Sequence, residues 1–381
     1  VADGVVQDSP RFQESAPTLR ALAAGGARVV ILAHQGRPGD VDFVSLAQHA
    51  ALLSKHVKKK VKFVDDLFGS RALNEIKKLK NGKLLLLENT RFCSEELLDA
   101  PAERLAQTLF VKTLASAANA FVNEAFSVSH RKQASIVGFP ELLPSYAGIA
   151  LEREVAALER VTANPERPVV LVLGGNKPDD CIKILNNFLD KNIVDKALLG
   201  GLIGELALLA QGRDLGTQRE FLEEKGFVKL LPAVKTFLEK HGAKVELPRD
   251  LAFADSDGIR VEVSVEQAAS LHRLVGDVGS KTAGAYSSAL KQAKTVFFKG
   301  TLGEFEQPAF ELGTRIALKS IADSKAFSVI GGGSLAVAIE KFGFNKKKFS
   351  HASNAGGALI SFLAGEKLPG LAALEKASAK S

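Results

Sequence analysis

Short apolar runs alternate with longer amphipathic stretches along most of the chain. The runs are "ARVVILA" (27–33), "VKFV" (61–64), "GKLLLLE" (82–88), "NAFVNEAF" (119–126) and "SIVGF" (135–139), then "PVVLVLGG" (168–175), "KALLGG" (196–201), "KVELP" (244–248), "KTVFFKG" (294–300) and "FSVIGGG" (327–333). Continuous rather than alternating apolarity suits strands covered on both faces. Between them, stretches such as "PAERLAQTLFVKTLASAAN" (101–119) and "LPAVKTFLEKHG" (231–242) carry apolar residues at helical spacing. The pattern is βαβα repeated, which predicts parallel sheets with right-handed crossovers.

The rhythm breaks once. "FPELLPSYAG" holds two prolines and a glycine, and "IALEREVAALERVTAN" then reads as one helix over 149–164 before "PERP". This predicts two doubly wound parallel-sheet, Rossmann-like α/β domains joined by a long helix and hinge. The expected boundaries are 1–148, with a first strand missing, 165–352 for the second domain, and a segment 353–381 returning toward the first.

In open parallel sheets, ligands sit beyond the carboxyl ends of the strands. In the first half those ends carry cations. His34 and Arg37 follow one run, Arg91 another, and His130 and Arg131 a third, while Arg11 lies just before a helix. A single arginine there is most often a surface residue. Several at equivalent positions point to a small, multiply charged anion, because guanidinium forks match phosphate and carboxylate oxygens. In the second half the ends carry glycine: "VLGGNKPDD" (172–180), "LLGGLIG" (198–204), "FKGTLGEFE" (298–306) and "VIGGGS" (329–334). Such turns let backbone N–H groups approach phosphates. One turn means little; four in one half suggest a nucleotide. No Walker A or G-x-G-x-x-G spacing is present, which counts against a P-loop enzyme or a dinucleotide dehydrogenase. An anion site in one lobe and a nucleotide site in the other fit phosphoryl transfer, with closure excluding water.

Composition narrows the picture modestly. With 46% hydrophobic and 24% charged residues among 381, large cores are expected. The formal charge of +7 leaves phosphorylated metabolites, nucleic acid and acidic membranes open. The basic runs 55–62 and 345–349 read as solvated helix ends or loops, and two Tyr with no Trp offer no base-stacking platform, so nucleic acid is not expected. No apolar run reaches membrane length, and two cysteines, Cys93 and Cys181, make no disulfide framework; the expectation is a cytoplasmic protein. The opening "VADGVVQDSP" suggests that an N-terminal segment precedes this numbering.

The motifs "AHQGRP", "LLENTRF", "NEAF…HR", "LGGNKPDD", "DVGSKT", "FE" (305–306), "IGGG" and "GEKLPG", in this order from about Asp8 to Leu371, resemble the phosphoglycerate kinase family, with "GGNKPDD" closer to its archaeal branch. The resemblance implies reversible phosphoryl transfer between 1,3-bisphosphoglycerate with ADP and 3-phosphoglycerate with ATP, with Mg²⁺ accompanying the nucleotide and a monomeric enzyme. By position, Arg11 and Lys177 resemble the catalytic cations, and Arg11, His34, Arg37, Arg91 and Arg131 the basic cluster around 3-phosphoglycerate. Gly174, Gly175, Lys177, Gly201, Gly303, Glu306, Gly331, Gly332, Gly333 and Ser334 resemble the nucleotide shelf, and Gly356 and Gly357 the loop facing the transferring phosphoryl group.

The chain departs from the family pattern at Asn176, Cys181, Lys299, Thr301, Asn354 and Ala355, at Ser334 in place of a metal-holding Asp, and in the absence of a first strand. The metal ligands therefore stay open. So does the alternative of a same-fold ligand- or partner-binding protein with weakened or lost kinase activity.

Overall fold

The computed structural model describes residues 1 and 4–379. Its first three strands, β1 (Val29–Ile31), β2 (Val61–Phe63) and β3 (Leu84–Leu86), form a parallel sheet in the order 1-3-2. Consecutive leucines at the centre feed both faces, because side chains alternate along a strand. Leu84 and Leu86 pack with Ala16, Leu19 and Leu53 from helices Pro10–Ala24 and Ala47–Val57. Leu85 and Leu87 pack on the other side with Ile76, Phe110 and Val111. Two further strands, β4 (Phe121–Asn123) and β5 (Ser145–Ala147), pair in parallel as a separate small sheet.

Two local expectations in this half are corrected. The run 135–139 is not a strand: Ala134–Gly138 forms a wide helical turn, continued by a tighter one over Phe139–Glu141. Its backbone is satisfied locally, with Ile136 N–H and Val137 N–H donating to the Gln133 carbonyl at 2.9 and 3.0 Å. Ile136 and Val137 still reach the core, so a short apolar run satisfied burial either way. The stretch 101–119 is not one helix but two, Ala102–Leu105 and Leu109–Ala115. Thr108 separates them: its Oγ accepts from Val111 N–H at 3.4 Å as an N-cap.

Helix Ile149–Thr162 carries the chain onward, and the residues divide into two compact units, 1–155 with 367–381, and 156–366. The C-terminal helix Pro369–Ser378 belongs to the first unit, where Lys376 Nζ donates to Glu103 at 2.8 Å and Glu141 at 2.7 Å.

The second unit is built on six parallel strands: β6 (Val169–Leu173), β7 (Lys196–Leu199), β8 (Val245–Glu246), β12 (Thr295–Lys299), β13 (Phe327–Gly331) and β14 (His351–Ser353). Between β8 and β12 the chain makes an antiparallel excursion, β9 (Asp250–Ala254), β10 (Arg260–Ser264) and β11 (Asp277–Val278), in the order 10-9-11. The expectation of parallel sheets alone misses it. An Asp-Ser-Asp-Gly turn sets the hairpin, Asp255 Oδ1 accepting from Asp257 N–H at 3.0 Å and Ile259 N–H at 2.8 Å. The main sheet runs 14-13-12-6-7-8, so the order reverses between β6 and β12. A crevice opens at such a reversal, beyond the carboxyl ends of the two strands. No helix among the described residues is long and apolar enough to cross a membrane.

Candidate active site

In the first unit, three strand-end loops converge. Asn89, fully buried, fastens two of them. Its Oδ1 accepts from the backbone N–H of Gln35 at 3.3 Å and of Arg91 at 3.1 Å, and its Nδ2 donates to the carbonyls of Gln35 at 2.8 Å and Val44 at 3.0 Å. All four hydrogen-bonding positions of the amide are used. Arg91 adds a link by donating from Nη1 to the Gly36 carbonyl. Gly36 has φ +65°, and a Cβ there would stand 2.4 Å from Phe43 N, so only glycine fits this turn. The buried carboxyl of Glu96 then ties the third loop, accepting from Ser135 N–H at 2.8 Å and Ser135 Oγ–H at 2.5 Å. Neither Asn89 nor Glu96 stood out in the sequence, since neither carries the charge of the site.

The cations brought together are Arg11, His34, Arg37, Arg91 and Arg131. Arg11 lies inside the first turn of helix Pro10–Ala24 rather than before it. Burial, together with the charges of Arg91, Arg131 and Arg11, pushes His34 down to about 4, so it is neutral at pH 7. Arg91 is held below the ordinary arginine range by burial and by Arg131 and Arg37; Arg131 likewise by burial, Arg37 and Arg11. Cations forced into mutual repulsion are stabilised by an anion placed among them. Arg91 is 7% exposed, and its Nε has no protein hydrogen-bond partner. The side chain of His130 stands nearby, lowered by burial and by Arg131.

In the second unit the crevice at the sheet reversal is a groove of about 700 Å³. Its lining includes Gly174, Gly175, Lys177, Gly201, Gly303, Glu306, Gly331, Gly332, Gly333, Ser334, Gly356 and Gly357. The glycines fall into two kinds. A Cβ at Gly300 (φ +73°) would stand 2.1 Å from the Gly174 carbonyl oxygen, and one at Gly174 2.2 Å from the Thr301 carbonyl, so these turns need glycine to pack on each other. At Gly332, Gly333 and Gly356 a Cβ would meet nothing within 4 Å. Gly332, at φ +105°, still needs glycine for its backbone, whereas nothing in the fold requires it at Gly333 and Gly356; all three leave the backbone open to approach.

Lys177 is exposed at the N-cap of helix Pro178–Asp190. Lys299, buried at the end of β12, lies 3.7 Å from Asp180, an ion pair rather than a hydrogen bond. Cys181 is fully buried, its thiol 3.5 Å from the Gly174 carbonyl and pushed up to about 11 by burial, so it supports the glycine turn instead of reacting. Asn176, Thr301 and Ala355 line the groove. Among the described residues no three His, Cys, Asp or Glu side chains form a group that could hold a metal. The groove offers Asp180 and the Ser334 hydroxyl, a donor set that fits a cation arriving on phosphate oxygens with its own waters.

An open parallel sheet with glycine turns at its reversal, in a chain that also carries a converged arginine cluster, defines an α/β protein built for phosphorylated ligands. The comparisons with known proteins give the particular family. The family model described as phosphoglycerate kinase matches residues 1–366. A phosphoglycerate kinase of Halorubrum lacusprofundi is 44% identical, spanning 100% of this chain and 94% of the relative. One of Sulfolobus acidocaldarius is 39% identical over 97% and 89%. The crystal structure of phosphoglycerate kinase from Pyrococcus horikoshii OT3 superposes with a TM-score of 0.91 at 37% identity, covering 100% of this chain and 94% of that one. The Coxiella burnetii enzyme gives 0.83 at 33%, covering 99% and 93%. The chain belongs to the phosphoglycerate kinase family, with archaeal relatives at about this similarity over its full length. It is a transferase of glycolysis, a kinase that binds ATP.

Proposed function

We propose that the two sites divide the reactants of the family reaction: the first unit takes 3-phosphoglycerate or 1,3-bisphosphoglycerate, and the groove of the second takes Mg-ATP or Mg-ADP. The observation that carries this reading is the convergence of Arg11, His34, Arg37, Arg91 and Arg131 with a buried guanidinium nitrogen left without a protein acceptor. A phosphate and a carboxylate on one small molecule would relieve that repulsion at several points. In the groove, the open backbone at Gly332, Gly333 and Gly356 suits phosphate oxygens, and Glu306 suits a ribose hydroxyl.

Arg11 and Lys177 are assigned to neutralising the equatorial oxygens of the migrating phosphoryl group, with Gly356 and Gly357 donating backbone N–H to it. No covalent enzyme intermediate is needed, because the substrate carboxylate is itself the acceptor. When bound, Mg²⁺ adds neutralisation of the nucleotide phosphates, and Asp180 and Ser334 are the residues that would hold it. The protein is taken to work as a monomer in the cytosol, with no nucleic-acid or membrane partner.

Steady-state kinetics of Arg37→Ala test the division. KM for 3-phosphoglycerate should rise with little change for ATP. Loss of nucleotide affinity instead would reverse the assignment of the two units.

A further inference from the structure

The segment that joins β12 to helix Leu312–Ala322 lines the groove and carries Glu306, yet it contains no strand. Its start is fixed through its backbone, Leu302 N–H donating to the Thr314 hydroxyl at 3.0 Å and Glu304 N–H to the Gly276 carbonyl at 2.8 Å. Phe305 is buried in the core of this unit, its ring edge-on to Phe342 with centroids 6.1 Å apart. Burial of one ring anchors the chain there, but it does not set the peptide planes beside it.

One side chain far along the sequence sets them. Lys341 Nζ donates to the Phe305 carbonyl at 2.7 Å and to the Glu306 carbonyl at 3.0 Å, and it faces Glu311 Oε1 at 2.9 Å. The three N–H bonds of the ammonium are thereby used. The two carbonyls belong to the peptide planes on either side of the Glu306 Cα. Holding both fixes φ and ψ of that residue, and with them the direction in which its side chain leaves the backbone. A lysine in the last turn of a helix ordinarily serves its own helix's carbonyls; this one reaches to another element. Its helix, Gly333–Lys341, begins at the turn whose open backbone lines the groove. One rigid element therefore carries that turn at its first residue and the grip on Glu306 at its last.

We infer that Lys341 is a positioning residue for the nucleotide: it sets Glu306 to accept from the ribose, without touching the ligand itself. The inference rests on the nucleotide reading of the groove and names what orients its ribose acceptor. Without the ammonium, the Glu306 backbone has more than one direction open to it, and binding a hydroxyl must first order it at an entropic cost. Because Lys341 acts through Glu306, its loss is felt only by a nucleotide with ribose hydroxyls to offer.

The test is isothermal calorimetry on the full chain with ADP and with its dideoxy analogue, which lacks both ribose hydroxyls. The proteins are the wild type, Glu306→Ala, Lys341→Met and the double variant, each with a thermal melt and steady-state kinetics. The wild type should bind ADP about tenfold or more tightly than the analogue, as expected for a hydrogen bond to a charged group. Glu306→Ala should bind the two within about twofold of each other. Lys341 is exposed at the end of its helix, so Lys341→Met should melt like the wild type. Its preference should drop to about threefold or less, with the loss on ADP alone, and kcat and KM for 3-phosphoglycerate should not move. The double variant should lose no more than Glu306→Ala does, because one residue works through the other. An intact preference in Lys341→Met would overturn the inference. So would equal weakening of both nucleotides, additive losses in the double variant, or a methionine variant that no longer folds, each of which marks a structural residue. A wild type that binds ADP and the analogue equally would instead remove the ribose reading of Glu306, and one that binds neither the nucleotide reading of the groove, and this inference with it.

Discussion

Asn89 and Gln35 are joined in both directions: the Gln35 N–H donates to Asn89 Oδ1 at 3.3 Å, and Asn89 Nδ2 donates back to the Gln35 carbonyl at 2.8 Å. Gln35 sits between His34 and Gly36, and Asn89 two residues before Arg91, so the pair sets the spacing of the clustered basic side chains. Asn89→Ala strips the partners from the Gln35 and Val44 carbonyls and two N–H groups. It should destabilise the protein by about 2–4 kcal/mol and raise KM for 3-phosphoglycerate more than KM for ATP. Urea unfolding within about 0.5 kcal/mol of the wild type would contradict this role.

Lys177 gives the opposite profile. It is exposed and makes no contact that the fold depends on. Lys177→Ala should leave the melting temperature unchanged and lower kcat by several orders of magnitude, on the reading that it stabilises charge on the transferring group. Turnover like that of the wild type would refute it.

His34 offers a direct test of whether the proposed anion sits among the arginines. Its value in the folded chain is about 4, below the ordinary 6.5, because burial first and then the charges of Arg91, Arg131 and Arg11 disfavour a positive ring. Between those two values the unfolded chain binds the proton more readily, so this contribution to stability is complete above about 6.5 and is lost as pH falls toward 4. Proton NMR of the His34 ring should show it neutral at pH 6. Saturating 3-phosphoglycerate should move the titration upward, since the ligand's negative charge offsets the arginines. A titration that stays put on ligand binding would place the anion elsewhere.

The two kinds of groove glycine separate packing from binding. Gly300→Ala forces a Cβ to 2.1 Å from the Gly174 carbonyl at φ +73° and should destabilise by more than about 2 kcal/mol. Gly333→Ala meets nothing and should leave the melting temperature unchanged, while raising KM for ATP by crowding phosphate oxygens. Equal effects on stability from both would undo the distinction.

Glu205 makes a pH prediction on stability as well. Its folded value is raised to about 8 from 4.5, so its contribution is full below about 4.5 and is lost as pH rises to about 8. Glu205→Gln removes that titration. Unfolding free energies should therefore fall less between pH 5 and 8 in the variant than in the wild type; parallel curves would show that the carboxyl is already ionised.

Much of the architecture was legible because it rests on local rules. Continuous apolar runs bounded by glycine reported the buried parallel strands, and β3 shows why, with Leu84 and Leu86 feeding one core and Leu85 and Leu87 the other. The strand-end rule picked out His34, Arg37, Arg91 and Arg131 before any fold was known. The apolar-run reading failed where burial alone did not choose a backbone, as at 135–139, and where pairing was non-local, as in the antiparallel strands 250–278.

The chain by itself determined which residues carry charge or conformational freedom, and that they fall at the ends of buried strands, since periodicity and residue chemistry are local properties. Only the tertiary structure decided that the β6 and β12 ends meet at the sheet reversal, that Asn89 and Glu96 hold the cation loops together, and that Glu205 is a buried carboxyl hydrogen-bonded by Gln218. The reason is physical. Strand order, the loss of water around a carboxyl group and the direction of a hydrogen bond all depend on residues far apart in the chain, and no short stretch of sequence records them.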